Sequence, residues 1–323
     1  MDRPRRIQYE PLQAKTILNS VKAPSMPFDW SINPYRGCQH GCSFCYARST
    51  HSFLGVEADD TFQRHIFIKE GAADILREQL RKRLRGKHPS ELGQVAIGTA
   101  TDPYQQIEAK SKVTRGCLEV LAEYQVPVTI TTRSPLILRD MDLLLQLPLA
   151  SVNISLSTLD PLVWRQFEPS TPAPAQRLRT VRKLAEAGIP VGIFAAPILP
   201  YLTDSETDLR SLLAASAEAG AGFVMPSYLR LSTPEVKVWF FQTLRQHYPQ
   251  LAAPYARLYQ ASSSLPPEYK TPKMQMINRL LELYPQLRHT VRSPYNPQAV
   301  PVHERTAAKD DGREQEPVQL TLF

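Results

Sequence analysis

Short runs of β-branched and apolar residues recur along the first two thirds of the chain, bounded by proline, glycine or polar residues. A first strand is expected at residues 31–36, and further runs lie at residues 94–99, 127–132, 151–157, 190–195 and 222–226. Runs of this length and composition are typical of β-strands. The sequence therefore predicts six strands before about residue 230.

Between these runs, apolar residues recur at intervals of three and four, which is the spacing along one face of an α-helix. This pattern predicts helices at residues 72–84, 112–124, 139–147, 174–187 and 205–219. Gly188 and Gly220 follow two of them, and glycine is the preferred residue just beyond a helix C-terminus. Strands that alternate with helices in this way predict βα units and a parallel sheet.

The predicted units divide the chain into four parts. Residues 1–30 are expected to form an irregular N-terminal arm, and residues 31–230 hold six βα units, fewer than the eight of a full barrel of roughly 250 residues. Residues 231–295 show only helical patterns, at 234–248, 251–262 and 268–283. Residues 296–323 have the composition of a flexible tail.

The overall composition narrows the class of protein. Hydrophobic residues make up 42% of the 323 residues, enough for a sizeable core, yet no apolar run of about 18 residues predicts a membrane span. The N-terminus lacks the apolar stretch of a secretory signal, so a cytoplasmic location is expected. The net charge of +7 is compatible with a polyanionic partner but does not identify one.

Three of the four cysteines lie close together, with the spacing C-x3-C-x2-C. They are Cys38, Cys42 and Cys45, within NPYRGCQHGCSFCYAR at residues 33–48, and the fourth is Cys117. Three thiolates in one loop suit a cubane iron–sulfur cluster whose fourth iron stays open. A zinc site with His40 as the fourth ligand is the alternative, and disulfides are not expected without a secretory signal.

This cysteine motif resembles that of the radical S-adenosylmethionine (SAM) superfamily, and Phe44 fits the aromatic position that usually precedes the third cysteine. The resemblance implies a [4Fe–4S] cluster whose open iron binds SAM, and reductive cleavage of SAM to a radical that abstracts a hydrogen atom. It also implies an α/β fold: a partial (βα)6 TIM-type barrel with a C-terminal helical extension. Active sites of such barrels lie at the C-terminal edge of the sheet.

The resemblance also implies which residues contact SAM, at the ends of the second, fourth and fifth strands and just beyond them. The expected contacts are Gly98, Thr99 and Thr101 near the amino group, Ser155 and Ser157 at the ribose or carboxylate, Arg177 at the carboxylate, and Pro197 against adenine. A guanidinium group suits a carboxylate because it can bind both oxygens. Serine and threonine at strand ends also commonly cap helices, so each assignment has a structural alternative.

Within the superfamily, the chain is most similar to the spore photoproduct lyase-like proteins. The residues that carry this likeness lie at 33–48, 98–108, 114–123, 155–160 and 189–200. One departure matters, because that lyase uses a cysteine as hydrogen donor in the segment corresponding to residues 98–102, where this chain has none. Asp102 and Tyr104 are then the catalytic candidates, Tyr104 as a radical relay, and Cys117 is expected to be structural.

Two further patterns suggest nucleic-acid metabolism. The last five residues, QLTLF, resemble the peptide by which bacterial repair proteins dock on the DNA polymerase sliding clamp, through Gln319, Leu320, Leu322 and Phe323. A tail that folds back on its own domain is the alternative. A helical row of Arg77, Arg81 and Arg85 would suit phosphates, although a solvated helix face has the same pattern.

These patterns lead to one leading hypothesis and two alternatives. The leading one is a radical SAM enzyme, supplied with electrons by flavodoxin or ferredoxin, that abstracts a hydrogen atom from a nucleobase in DNA for repair or modification. The second keeps the chemistry but changes the substrate to RNA or a small metabolite. The third is a non-catalytic iron–sulfur protein that binds DNA or the clamp.

Overall fold

The fold is described from a computed structural model, which covers residues 6–23, 26–54 and 60–287. The strands of this part are β1 (Gln8–Gln13), β2 (Leu18–Ser20), β3 (Trp30–Ile32), β4 (Tyr35–Arg36), β5 (His65–Glu70), β6 (Val95–Ile97), β7 (Val128–Thr132), β8 (Leu149–Ser155), β9 (Val191–Ile198) and β10 (Val224–Tyr228).

The α-helices of the same part follow most of these strands. They are α1 (Thr61–Arg64), α2 (Ala72–Arg83), α3 (Glu108–Ser111), α4 (Val113–Glu123), α5 (Met141–Leu144), α6 (Pro161–Phe167), α7 (Pro174–Glu186), α8 (Glu206–Glu218), α9 (Pro234–His247), α10 (Ala252–Leu258) and α11 (Pro267–Glu282). Among them, no helix is long and apolar enough to cross a membrane.

The main sheet has the strand order β2-β3-β6-β7-β8-β9-β10. From β3 to β10 each strand is parallel to its neighbour, and β2 pairs antiparallel with β3. Because β2 and β10 are not paired with each other, the sheet is an open barrel of six parallel strands with helical crossovers. The predicted α/β fold with a partial (βα)6 barrel is confirmed.

The residues that face outward from the central strands form the apolar core. Val128 and Ile130 of β7 and Val152 and Ile154 of β8 are fully buried against the surrounding helices. The alternate, inward positions are instead small or polar: Ala96 on β6, Thr129 and Thr131 on β7, Ser151, Asn153 and Ser155 on β8, and Gly192 on β9. Full barrels fill this space with bulky branched side chains. Here small side chains leave the barrel hollow.

The first strand is shorter than expected. The predicted strand at residues 31–36 divides into β3, in the barrel, and β4, in a separate sheet of order β1-β5-β4. Residues 1–30, expected to be irregular, contain β1 and β2. Almost every side chain of β1 is exposed, so it lacks the alternation of apolar and polar residues that reveals a strand in a sequence.

The helices match the predictions closely, with two exceptions. The stretch expected as one helix at residues 139–147 is a 3₁₀ helix, Pro135–Asp140, followed by the short α5, and α10 ends before the predicted 262. Gly188 and Gly220 adopt positive φ angles of 75° and 80°, as expected beyond helix ends. The predicted tail at residues 296–323 lies outside the described residues.

Candidate active site

The cysteine loop leaves β4 at the C-terminal edge of the barrel. Gly37 and Gly41 take left-handed backbone conformations, with φ of 77° and 62°, which bend the chain on both sides of Cys38. The Cys38 N–H donates to the Phe62 carbonyl at 3.1 Å, and the Cys45 N–H donates to the Cys42 carbonyl at 3.2 Å. These bonds hold the three thiols on the wall of one cavity of about 760 Å³.

Burial keeps two of these thiols protonated in the absence of metal. Burial, assisted by the nearby Asp102 carboxylate, raises the pKa of Cys38 well above that of an ordinary thiol. Burial also raises the pKa of Cys42 to about 12, although the Arg133 cation opposes the shift. Since thiolates, not thiols, bind metal, metal binding at Cys38 and Cys42 must displace their protons.

The alternative of zinc with His40 as the fourth ligand does not fit the loop. His40 Nε2 lies 3.1 Å from Asp102 Oδ2, and Nδ1 lies 3.2 Å from the Ser170 carbonyl, so neither nitrogen faces the thiols. Within residues 6–23, 26–54 and 60–287, no three His, Cys, Asp or Glu side chains come close enough to bind one metal ion. A cubane cluster holds its three cysteines on separate irons, which suits three thiols spread over one wall.

Asp102 lines the same cavity, but its carboxylate is engaged by the protein. Oδ1 accepts hydrogen bonds from Thr132 Oγ1 at 2.6 Å and from the Tyr104 N–H at 2.9 Å, and Oδ2 accepts from the Arg133 N–H at 2.8 Å. Burial alone would raise the pKa of Asp102, but His40 and these donors lower it to about 2. The structure thus makes Asp102 a fixed anion that joins β6, β7 and the cysteine loop.

The end of β6 contributes three of the predicted residues to the cavity, namely Gly98, Thr99 and Thr101. A Cβ atom on Gly98, where φ is 92°, would collide with the Thr131 carbonyl and lie 2.7 Å from Pro103 Cδ, so only glycine fits. Thr99 Oγ1 accepts a hydrogen bond from Asn33 Nδ2 at 2.9 Å. Thr101 Oγ1 donates to the Gly37 carbonyl at 2.6 Å and so supports the cysteine loop.

Phe44, Ser155 and Pro197 also line the cavity, as predicted. Phe44 is buried in the core beneath the loop, and Ser155 ends β8. Pro197 lies near the end of β9 after a cis peptide bond. These residues come from distant parts of the sequence and reach one cavity because the C-terminal ends of parallel strands share one edge of the sheet.

Three predicted site residues lie elsewhere, and the predictions for them need correction. Arg177 is buried and forms an ion pair with Glu168, while its Nη1 donates to the Ser155 carbonyl at 2.9 Å. Ser157 Oγ donates to Glu168 at 3.2 Å. Neither Arg177 nor Ser157 lines the main cavity. The Arg177 guanidinium is hydrogen-bonded to Pro172, Ser155, Glu168 and Thr171 inside the protein, and its contact with a ligand carboxylate stays a prediction.

Tyr104 is the third correction. Its side chain is 1% exposed and lies in the apolar core rather than on the cavity wall. Burial, together with the nearby Asp140 carboxylate, raises the pKa of Tyr104 well above its usual value. The residue follows a site segment in the sequence, but the turn after β6 directs its side chain away from the cavity.

Arg133 is a cation of the cavity lining that the sequence analysis did not single out. It follows β7, lines the cavity, and its buried Nε makes no hydrogen bond to any described residue. Glu168 Oε2 lies 3.7 Å away. Burial disfavours its charge, but the Glu168 and Asp102 carboxylates raise the pKa of Arg133 above its ordinary value. Its inward position could have been found from the alternation of Thr129, Thr131 and Arg133 along β7.

The C-terminal helices also belong to the site. Arg48, three residues after Cys45, is fully buried, and its guanidinium carbon lies 4.1 Å from the centre of the Trp239 ring on α9. The same guanidinium donates to Gln63 Oε1 at 2.8 Å and to the Cys42 carbonyl at 3.4 Å. Asn278 and Leu281 of α11 line the cavity itself. The helical extension therefore contacts the cysteine loop and contributes to the cavity wall.

Comparison with known proteins identifies this architecture. A family model described as the Radical SAM superfamily matches residues 32–213, more than half of the chain. This chain belongs to the radical SAM superfamily. An uncharacterized protein of Mycobacterium tuberculosis is 35% identical over 286 residues, which cover 86% of this chain and 81% of the relative. An uncharacterized protein of Methanocaldococcus jannaschii is 29% identical over 201 residues, 62% of this chain and 71% of the relative.

Among solved structures, the fold is similar to that of spore photoproduct lyase. A mutant of that enzyme with bound AdoMet and dinucleoside spore photoproduct superposes with a TM-score of 0.63. The match covers 85% of this chain and 79% of the lyase chain, at 19% identity. The likeness therefore establishes the shared partial barrel, and the radical SAM family is established by the sequence match.

Radical SAM proteins carry a [4Fe–4S] cluster and bind SAM, and the cavity fits both groups. Cys38, Cys42 and Cys45 would hold the cluster, because they are free thiols on one wall beside a cation. Arg133 would meet the SAM carboxylate, because it is a cation of the cavity lining whose side chain is 20% exposed. A volume of about 760 Å³ is typical of a site for a small organic ligand.

Proposed function

We propose that this radical SAM protein is an enzyme of the lyase-like type that abstracts a hydrogen atom from a nucleobase in DNA. One observation supports the radical chemistry: three free thiols, Gly98 and Arg133 line the same cavity. The DNA substrate is supported by the fold shared with spore photoproduct lyase and by the net charge of +7.

The residues of the cavity have distinct tasks in this proposal. The cluster and SAM, when bound, would supply the one-electron chemistry needed for hydrogen-atom abstraction. The three cysteines bind the cluster, and Arg133 orients the cofactor by its charge. Phe44 and Pro197 give the cavity apolar walls that exclude water, which protects a reactive radical from side reactions.

The proposed reaction differs from the route of the spore enzyme. The segment at residues 98–102 holds no cysteine. Cys117 of α4 is fully buried in the core and does not line the cavity. Neither Cys117 nor the buried Tyr104 is placed to return a hydrogen atom to a product. The proposal therefore favours modification or repair of a nucleobase by a route other than cysteine-mediated dimer reversal.

Anaerobic reconstitution tests the radical core of the proposal. After reduction with dithionite and addition of SAM, we expect 5′-deoxyadenosine from the wild-type protein and none from Cys42→Ala. Cys117→Ala is the matched control, because it also removes one buried thiol but lies outside the cavity. An intact cluster that never cleaves SAM, even with DNA present, would favour a non-catalytic iron–sulfur protein.

The substrate is tested separately from the cofactor chemistry. We expect SAM cleavage to be stimulated by DNA that carries damaged or modified bases. Equal stimulation by RNA or by free nucleotides would instead favour the alternative of an RNA or small-metabolite substrate. Flavodoxin and ferredoxin are the proposed reductants, and each is tested in place of dithionite in the same assay.

We further propose that the C-terminal peptide docks on the DNA polymerase sliding clamp. Gln319, Leu320, Leu322 and Phe323 lie outside the described residues, and the proposal rests on their sequence. A peptide with alternate apolar anchors suits a preformed groove. Full-length protein should bind purified clamp, and Gln319→Ala combined with Phe323→Ala should abolish binding without changing SAM cleavage. Unchanged binding of the double variant would refute the docking role.

A further inference from the structure

The short segment at residues 39–41, between the first two cysteines, lies close to the protein surface. Gln39 Nε2 donates a hydrogen bond to the Tyr9 hydroxyl at 2.9 Å, and Tyr9 is 42% exposed. His40 Nδ1 lies 3.2 Å from the carbonyl oxygen of Ser170, which is also exposed. A single layer of residues therefore separates this part of the cysteine loop from solvent.

Two further residues complete this layer. A Cβ atom on Gly41 would lie 3.4 Å from Gln63 Cδ, so Gln63, which is half-buried, covers the backbone there. Gln106 is exposed, and its Nε2 donates to the Ser170 carbonyl at 2.9 Å. We call the surface formed by Tyr9, Gln63, Gln106 and Ser170 the loop-tip surface. None of these four residues lines the cavity, so the surface lies outside the site proposed for SAM.

Three exposed cations border the loop-tip surface. Lys110 lies on α3, one helical turn beyond Gln106. Arg165 lies on α6, which leads directly into the turn that belongs to this surface. Arg6 precedes β1 by two residues, and the parallel register of β1 with β5 places it beside Gln63. The cations therefore approach the surface from three different elements.

The carboxylates near this surface are engaged by the protein, whereas the three cations are not. Asp60 pairs with Arg64 at 2.9 Å, and Glu10 pairs with His65 at 2.8 Å. The Asp160 carboxylate accepts two backbone N–H groups at the start of α6. The three cations form no ion pair with any residue that the structure describes. The loop-tip surface therefore presents exposed positive charge that is available to a partner.

A positive surface directly outside the cysteine loop suits the delivery of electrons. We propose that the loop-tip surface docks an acidic one-electron carrier protein of the flavodoxin type. One electron passes from the reduced carrier, which is oxidised, to the cluster held by the cysteines, which is reduced, and no atom is transferred. Carboxylates around the redox group of the carrier meet Arg6, Lys110 and Arg165, and such complementary charges speed the encounter and fix its orientation. This inference rests on the proposed function and names the surface that serves its reductant.

DNA is the other polyanion that a positive surface can bind. The loop-tip surface suits it less well, because a substrate base must reach the cavity and no residue of this surface lines it. Electron transfer, in contrast, needs only a short distance between the redox group of the carrier and the cysteine loop. A DNA duplex therefore enters the test as the competing ligand.

Calorimetric titration of the reconstituted protein with purified flavodoxin, with oxygen excluded, tests the inference. Lys110→Glu combined with Arg165→Glu should raise the Kd for flavodoxin by about tenfold, because two attractive charges become repulsive. Added salt should weaken binding by the wild type, since it screens exposed charges. Lys183→Glu combined with Arg257→Glu is the matched control, because it makes the same change of charge at exposed positions of α7 and α10. This control should bind flavodoxin as the wild type does.

SAM cleavage by the same proteins separates docking from chemistry. With limiting flavodoxin, the variant at Lys110 and Arg165 should cleave SAM about tenfold more slowly than the wild type. With dithionite, a small reductant that needs no docking surface, the two proteins should cleave SAM at the same rate.

Three results would overturn the inference. The first is wild-type affinity for flavodoxin in the variant at Lys110 and Arg165, which leaves the radical chemistry standing if dithionite still drives cleavage. The second is an equal loss of affinity in the control, because net charge alone would then decide binding. The third is a loss of affinity for duplex DNA with unchanged flavodoxin binding, which would assign the surface to DNA. Absence of dithionite-driven cleavage in the wild type would instead refute the proposed function, and the titration would still decide the docking.

Discussion

Two arginines of the site show how position, rather than residue type, decides a role. Arg177 has every contact it needs inside the protein, with Glu168, Thr171 and two backbone carbonyls. Arg133 keeps a buried Nε without a hydrogen-bond partner among the described residues, on the wall of the cavity. The first therefore stabilises the protein, and the second is available for a ligand.

Substitution of the two arginines should separate these roles. Arg133→Met should weaken SAM binding by about tenfold or more, because a charged hydrogen bond is lost, with little loss of stability. Arg177→Met should cost about 3–5 kcal/mol of stability, because it leaves the Glu168 carboxylate buried without its main partner. Titration with SAM and thermal unfolding measure the two effects. If the folded Arg177→Met variant lost its affinity for SAM while Arg133→Met kept it, the roles of the two arginines would be reversed.

Lys69 offers a test of buried charge outside the cavity lining. It lies on β5 and is 8% exposed, and burial, with the nearby Arg36 cation, lowers its pKa from 10.5 to about 8. Between pH 8 and 10.5 the unfolded chain binds more protons than the folded one, so this residue makes stability rise with pH. Below pH 8 the folded protein must hold the buried cation, at a cost.

Lys69→Met should therefore stabilise the protein at pH 7, by about 1–3 kcal/mol. The gain should shrink as the pH rises towards 10.5, because the wild-type lysine is then neutral in the folded state. Urea unfolding of the cluster-free protein at pH 7 and pH 9.5 measures the difference. Lys270→Met, at an exposed position of α11, is the control. A gain that does not depend on pH would point to improved packing instead.

At the scale of elements, α9 connects the helical extension to the cysteine loop. The Trp239 ring of α9 lies against the Arg48 guanidinium, and Arg48 contacts the backbone of Cys42. A buried cation over a tryptophan ring contributes roughly 1–2 kcal/mol. The contact therefore supports the cysteine loop from α9.

Trp239→Ala should lower the iron bound after reconstitution, because Arg48 loses its stacking partner and the loop loses support. Trp239→Phe should largely restore it, since a phenyl ring still presents a face to the cation. Iron and sulfide analysis, together with the visible spectrum of the cluster, measures loading. Val238→Ala is the control, because Val238 is the exposed neighbour on the same helix. Equal loading in all three variants would show that α9 does not support the loop.

At the scale of the whole molecule, the residues that line the cavity come from many parts of the chain, from the loop near residue 38 to α11. A ligand that binds only the folded state stabilises it by about 2.7 kcal/mol at a hundredfold excess over its Kd. SAM should therefore raise the unfolding temperature of reconstituted wild-type protein and of Cys117→Ala. Cys42→Ala should show little effect. Similar stabilisation of Cys42→Ala would mean that SAM binds without the cluster.

The alternation of strands and helices predicted the parallel sheet, and the family resemblance predicted the partial barrel. What the sequence could not reveal were side-chain directions. Tyr104 and Arg177 lie close to segments that line the cavity, yet their side chains are buried away from it. The basic row on α2 is similar: Arg77 pairs with Asp74 and Glu123, and Arg81 with Glu78, so these arginines form exposed ion pairs.

The contact between Arg48 and Trp239 has a consequence for the order of synthesis. Cys38, Cys42 and Cys45 are synthesised long before Trp239 and before the α11 residues that line the cavity. The cavity around the thiols is therefore complete only after α9 and α11 have been made.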